Sequence, residues 1–293
     1  MITKLENELL EILADTNGAE LISIKDKKDN IECLWTADPD YWKRHAPILF
    51  PIVGKVKNDK YRIGEREFTL TQHGFARDRE FELIEKDNCK IIYRLRSNTD
   101  SLKKYPYKFE LDVEYSLKQN NLEIIYKVRN IDDQSIYFSI GAHPGFNCPL
   151  FEDENIEDYY LEFNKNENAS REILHPDLGL YTRESELVLK DSNILKLNKK
   201  LFKNDALVFK NLNSNKVSLK SNKHSKVITM DFKEFPYLGI WSKPNDAPFI
   251  CIEPWFGHAD FIDFDGDYRE KSGVMSLEVG KEFTCSYNVS IEN

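Results

Sequence analysis

The sequence predicts an all-β protein, a large antiparallel β-sandwich with few short helices, and three observations carry that expectation. From Phe81 to Ile140, apolar and polar residues alternate through FELIE, KIIYRLRS, FELDVEYSLK, NLEIIYKVRNI and SIYFSIGAH, the period of half-buried strands. The separators DN, SNTDSLKKYP, QNN and DDQ are rich in turn-forming residues. From Lys216 onward a second set follows, KVSLKS, KVITMDF, YLGIWS, FICIEPW and FTCSYNVSI, and strand and helix patterns do not alternate as they would in a parallel sheet.

Taken in order, the first element is ambiguous. In TKLENELLEIL, the residues Leu5, Leu9, Ile12 and Leu13 fall at helical spacing, yet the same residues suit two short strands. From Pro149 to about Asn215 the pattern weakens into polar turns, short strands such as YYLEF and one compact piece, LFKNDALVF. No Ser/Gly-rich stretch, charge block or internal repeat divides the chain. Strands before and after this region are therefore expected to share one sheet system, with residues 1–293 as one domain.

Composition excludes several functions. With 41 Lys and Arg against 50 Asp and Glu, the formal charge of -9 repels phosphate backbones and anionic membranes. Neither nucleic acid nor membrane is an expected partner. The start, MITKLENELLEIL, has acidic residues where a signal peptide needs basic ones, so a cytoplasmic protein is expected. The 5 cysteines are widely spaced without a CxxC pair, which suits reduced, packed thiols. GxSxG, GxxxxGK[ST], GxGxxG and HExxH are all absent. His258 and Asp260 are a possible metal pair lacking an evident third ligand, and the acidic DFIDFDGDYREK reads as a solvated turn.

Three segments each frame one ionisable residue with Gly, Pro and aromatics: QHGFARDREF around His73, SIGAHPGFNCP around His143, and PFICIEPWFGHAD around Glu253. Each ends a predicted strand at a sharp turn, which displays side chains at a cleft. Glu253 beside Trp255 and Phe256 is either a partly desolvated base or a strand-end carboxylate satisfied by an ion pair. His143 and His73 are either acid/base groups or turn histidines bonded to backbone.

Together with RHAPILFPIVGKV, GAELISI, IECLW, YRIGEREFTLTQHGFARD, FKNDALVF and the closing EKSGVMSLEVGKEF, these segments resemble the aldose 1-epimerase (galactose mutarotase-like) family, its LacX-type branch in particular. The resemblance implies a galactose mutarotase-like β-supersandwich. It also implies a cofactor-free, metal-free isomerase acting on a small-molecule sugar as monomer or homodimer. Carried over by position, Glu253 matches the family's base, His143 its acid and His73 a histidine that binds substrate. Asp205 matches an acidic residue contacting sugar hydroxyls, and Arg44 and Arg77 match contacts of the sugar-phosphate branch. Where galactose mutarotases have GRxANR, this chain has GKVKNDKY around Lys55, which leaves the sugar open between a free hexose and a hexose 6-phosphate. A non-catalytic sugar-binding protein and a glycoside hydrolase or lyase are the other classes such a sandwich accommodates. With unperturbed values of about 4.3 and 6.5, a carboxylate and imidazolium pair predicts a bell-shaped rate profile.

Overall fold

The computed structural model describes residues 1–292. Among them, a 15-stranded, wholly antiparallel sheet system runs through the molecule, and strands from both sides of residues 149–215 belong to it. Its best-formed part is the meander anticipated from alternation. Phe109–Lys118 pairs along its whole length with Asn121–Asn130, turning through two residues, with Gln119 at φ 54. Every second residue of Asn121–Asn130 is buried, so Leu122, Ile124, Tyr126 and Val128 enter the core. Glu282–Glu292 then lies against Asn121–Asn130 and joins the C-terminus to the centre of the sheet.

The ambiguous N-terminus is two strands, Ile2–Glu6 and Leu10–Asp15. Asn7 decides the matter: its Oδ1 accepts from the N–H groups of both Leu9 and Leu10, a side-chain turn that stops a helix from forming. Leu5, Leu10, Ile12 and Ala14 point inward at strand spacing, and Leu9 faces solvent.

Residues 149–215 hold more regular structure than their pattern suggests. Tyr159–Leu174 and Tyr181–Lys196 are 16-residue partners in one long hairpin. Four register shifts interrupt their pairing. Each shift moves the apolar set out of phase, so no long run of alternation survives in the sequence. The expectation of short strands and turns is corrected on this point, and the hairpin's tip reaches the functional site.

Two local devices aim the site. The turn that carries His73 is pressed onto Phe50, whose carbonyl accepts from the N–H groups of Phe75 and Ala76 at 3.0 and 3.2 Å. Gly74 has φ +71, and a Cβ there would fall 2.3 Å from the Phe50 carbonyl oxygen. In the second device, the strand Phe249–Phe256 continues through Pro254 to Phe256 rather than stopping at Glu253. This is possible because its neighbour is broken: Ile140–Ala142 and Gly145–Asn147 both pair with it, and the chain bends between them at His143 and Pro144. Pro254 therefore lies opposite a gap in the ladder, where a missing N–H forfeits no sheet bond.

Gly74→Ala combines an unfavourable φ with overpacking and should destabilise the protein by about 1–3 kcal/mol, read as a lower urea midpoint at unchanged slope. An unchanged midpoint would show that this turn is not a tight seat.

Candidate active site

The break in the ladder brings His143 onto Glu253. Glu253 pairs with Gly239 across the neighbouring strand Tyr237–Trp241, and it is 1% exposed. His143 Nε2 stands 3.1 Å from Glu253 Oε2, without the alignment of a hydrogen bond. Among the described residues, neither that carboxylate oxygen nor His143 Nδ1 has a hydrogen-bond partner.

The pair borders a cavity of about 330 Å³. His73, Arg77 and Asp205 line it as well, together with Gln72, Trp42, Trp241, Trp255 and Tyr181. His73 meets His143 edge to face at 5.6 Å between ring centres. Its Nδ1 accepts from the Gly54 N–H at 3.1 Å, so the neutral ring keeps its proton on Nε2. Asp205 sits in a turn at φ 72, with its Oδ1 accepting from the Ala206 N–H. Arg77 donates to the Gln72 carbonyl at 2.6 Å, while its Nε is buried without a partner. Arg44 lies outside the cavity lining and is ion-paired to Asp78 at 2.6 Å. The side chain of Lys55 runs past Gly179 in the hairpin's tip.

Electrostatics follow from dryness. Burial, reinforced by the negative charge of Asp205, drives Glu253 well above the usual carboxylate range. Burial and the positive charges of Arg77 and Arg44 pull His143 down to about 3. Both shifts favour the uncharged forms, carboxylic acid and neutral imidazole, over the carboxylate and imidazolium expected from unperturbed values. One proton is present in either form, and the 3.1 Å separation lets it belong to either partner.

Trp42 and Trp241 carry no sequence motif and escape a reading based on ionisable residues. Trp42 lies against His143 at 4.9 Å and a 30° tilt, and Trp241 meets the same ring at 5.7 Å edge on. Trp255 is wedged between two glycines: a Cβ on Gly141 or Gly239 would come within 2.6 or 2.7 Å of its ring. Its indole N–H donates to the Ala142 carbonyl at 3.2 Å, fixing the residue that precedes His143. Paired glycines opposite a Trp are the available sequence signal, visible only once the register is known. Cys251, two residues before Glu253 on the same strand, offers a third metal-type donor: its Sγ, a His143 nitrogen and a Glu253 oxygen lie within 4.8 Å of one another. His258 and Asp260 diverge as a ligand pair. His258 bonds to the Ala259 carbonyl and to Ser272, whereas Asp260 pairs with Lys271.

A dry carboxyl and imidazole thus face a cavity of about 330 Å³ in an antiparallel β-supersandwich. Comparison supplies the class: the chain belongs to the aldose 1-epimerase family, whose profile matches residues 1–276. It is 39% identical over 303 aligned positions to the plasmid-encoded protein LacX of Lactococcus lactis subsp. lactis, covering 100% of both chains. The chromosomal LacX of the same organism is 38% identical over the same span, with 100% of both chains covered. A galactose mutarotase related enzyme from Lactobacillus acidophilus superposes with a TM-score of 0.95 at 38% identity, covering 100% of this chain and 98% of the other. A galactose mutarotase-like protein from Lactobacillus casei gives 0.94 at 34% identity, with 100% of both chains covered. Among the described residues no helix is long and apolar enough to cross a membrane.

Asp205→Asn removes the negative charge that raises Glu253, so the Glu253 pKa should fall. The carboxylic acid C=O band in the infrared, assigned by its loss in Glu253→Gln, should titrate at lower pH in the variant. A band that titrates unmoved would mean Asp205 is too well screened to act on the pair.

Proposed function

We propose that the protein is an aldose 1-epimerase, interconverting the α and β anomers of an aldose by opening and reclosing the sugar ring. The observation that carries this reading is the approach of His143 Nε2 to within 3.1 Å of Glu253 Oε2 at the cavity wall, which sets two proton-transfer groups side by side. Ring opening needs the anomeric hydroxyl to lose a proton while the ring oxygen gains one. The substrate's hydroxyls, hydrogen-bonded to the pair, replace water and draw the shared proton onto His143, leaving Glu253 as carboxylate. Glu253 then takes the O1 proton and His143 delivers its proton to the ring oxygen. The C1–O5 bond breaks as C1=O1 forms, the aldehyde rotates about C1–C2, and closure on the other face reverses both transfers. His73, Asp205 and Arg77 hold the remaining hydroxyls, and Trp42 and Trp241 present aromatic faces to the apolar side of the ring.

A phosphorylated aldose is the second reading, favoured by one observation. Arg77 is the basic side chain in the cavity lining, and its buried Nε has no protein partner; a guanidinium fork suits a phosphate oxygen pair. A panel of free aldoses and their 6-phosphates, followed by anomer-exchange NMR, separates the two. Binding without any rate enhancement would instead make this a sugar-binding protein.

Glu253→Gln and His143→Asn should each slow mutarotation of the best substrate by about 10²–10⁴-fold, measured by polarimetry on folded protein. A wild-type rate in either variant removes that residue from its role.

The sign of the pH dependence follows from the pair. A second proton is added only near the depressed His143 value of about 3, and the last is lost only in the raised range of Glu253. The acid limb of the profile should therefore move below the ordinary imidazole value of 6.5, toward about 3, and the alkaline limb should follow the ionisation of Glu253, raised above the usual carboxylate range. Activity that rises with pH through the ordinary imidazole value of 6.5 would contradict the dry pair.

A further inference from the structure

One buried ion pair takes no part in these proton transfers. Lys271 Nζ lies 3.6 Å from Asp260 Oδ1, with side chains only 5% and 4% exposed, and it also donates to the His258 carbonyl. A buried pair of this kind is poor evidence of stability, since apolar residues of similar size often do as well. Its neighbours indicate a different use. Asp260 Oδ2 accepts from the Lys57 N–H at 2.9 Å, and the Asp260 N–H donates to the Lys55 carbonyl at 2.8 Å. The Asp260 carbonyl accepts from the Tyr181 N–H at 2.9 Å. One residue thus fastens the segment 55–57, the exit from the strand that carries Glu253, and the start of the strand Tyr181–Lys196.

The residue just before that segment is Gly54. Its φ is +71, and a Cβ would fall 2.6 Å from the backbone nitrogen of Ala259, the neighbour of Asp260. Gly54 grips His73 at two points: its N–H donates to Nδ1 at 3.1 Å, and its carbonyl accepts the His73 N–H at 2.8 Å. A ring nitrogen that accepts a hydrogen bond cannot carry a proton. The grip therefore selects the tautomer with its proton on Nε2.

We propose that Asp260 and Lys271 are positioning residues that hold the Gly54 N–H against His73, keeping His73 a neutral Nε2–H donor toward the substrate. What His73 donates to rests on the mutarotase reading; its tautomer does not.

The test reads the tautomer directly, by two-bond ¹H–¹⁵N correlation of the imidazoles, with His73 assigned by its loss in His73→Gln. Wild type should show a pyridine-like Nδ1 and a pyrrole-like Nε2 at His73. The double variant Asp260→Ala/Lys271→Met removes both charges together, so neither is left buried alone. It should fold, show averaged tautomers or a titrating ring at His73, and raise KM about 10-fold with kcat held within about 3-fold, the loss of one fixed donor. Protonation of Nδ1 in wild type would overturn the proposal. So would an unaltered His73 spectrum in the folded variant, and so would failure of the double variant to fold, since the pair would then hold the fold rather than His73. If wild type lacks mutarotase activity, the functional reading fails, while the ¹⁵N spectra still decide this one.

Discussion

The structure depends on keeping a carboxyl group and an imidazole in contact where water is scarce. Glu253 is 1% exposed and His143 has its Nε2 3.1 Å away. In such a place neither group bears charge cheaply, so burial raises the carboxyl and lowers the imidazole, favouring the uncharged form of each. A solvated pair would titrate within the physiological range, with its protonation set by the buffer.

Much of the surrounding architecture serves this seating. The ladder is broken at His143 and Pro144, which lets a side chain enter beside the central strand, and Pro254 occupies the stretch of strand that the break leaves unpaired. Trp255 fills the space left by two missing side chains, at Gly141 and Gly239, and ties down Ala142 next to the imidazole. Trp42 and Trp241 close the other sides of the ring. Polar groups with freer geometry, His73, Asp205 and Arg77, occupy turns at the cavity edge, each held by backbone bonds. The division is physical: the broken ladder and the strand Phe249–Phe256 fix the buried pair, and turns carry the polar groups at the cavity edge.

What was legible in the sequence follows the same division. Alternation identifies Phe109–Lys118 and Asn121–Asn130 because one face is buried without interruption, and the Gly- and Pro-framed residues His73, His143 and Glu253 do converge, although at Glu253 the strand runs on to Phe256 instead of turning. The long hairpin Tyr159–Lys196 was opaque because its register shifts erase periodicity, and the two N-terminal strands were ambiguous because only the Asn7 turn breaks a helical spacing. Trp42 could not be assigned to the site, since an aromatic in a loop carries no pattern. The direction of the pair's pKa shifts was not legible for a related reason: spacing reveals which groups are ionisable, whereas dryness comes from residues distant in the chain. Arg44 shows the converse, a residue matched by position whose guanidinium is committed to Asp78 beyond the cavity lining.

The central claim is that the shared proton opens a sugar ring at C1–O5 and leaves the C1–O1 bond intact. Anomer-exchange ¹³C NMR on the aldose turned over fastest, labelled with ¹⁸O at O1 and dissolved in ordinary water, tests it in one experiment. The account predicts rapid exchange between the α and β signals, with both retaining the ¹⁸O isotope shift over many turnovers. Exchange no faster than in buffer, or loss of ¹⁸O with each interconversion, would contradict it.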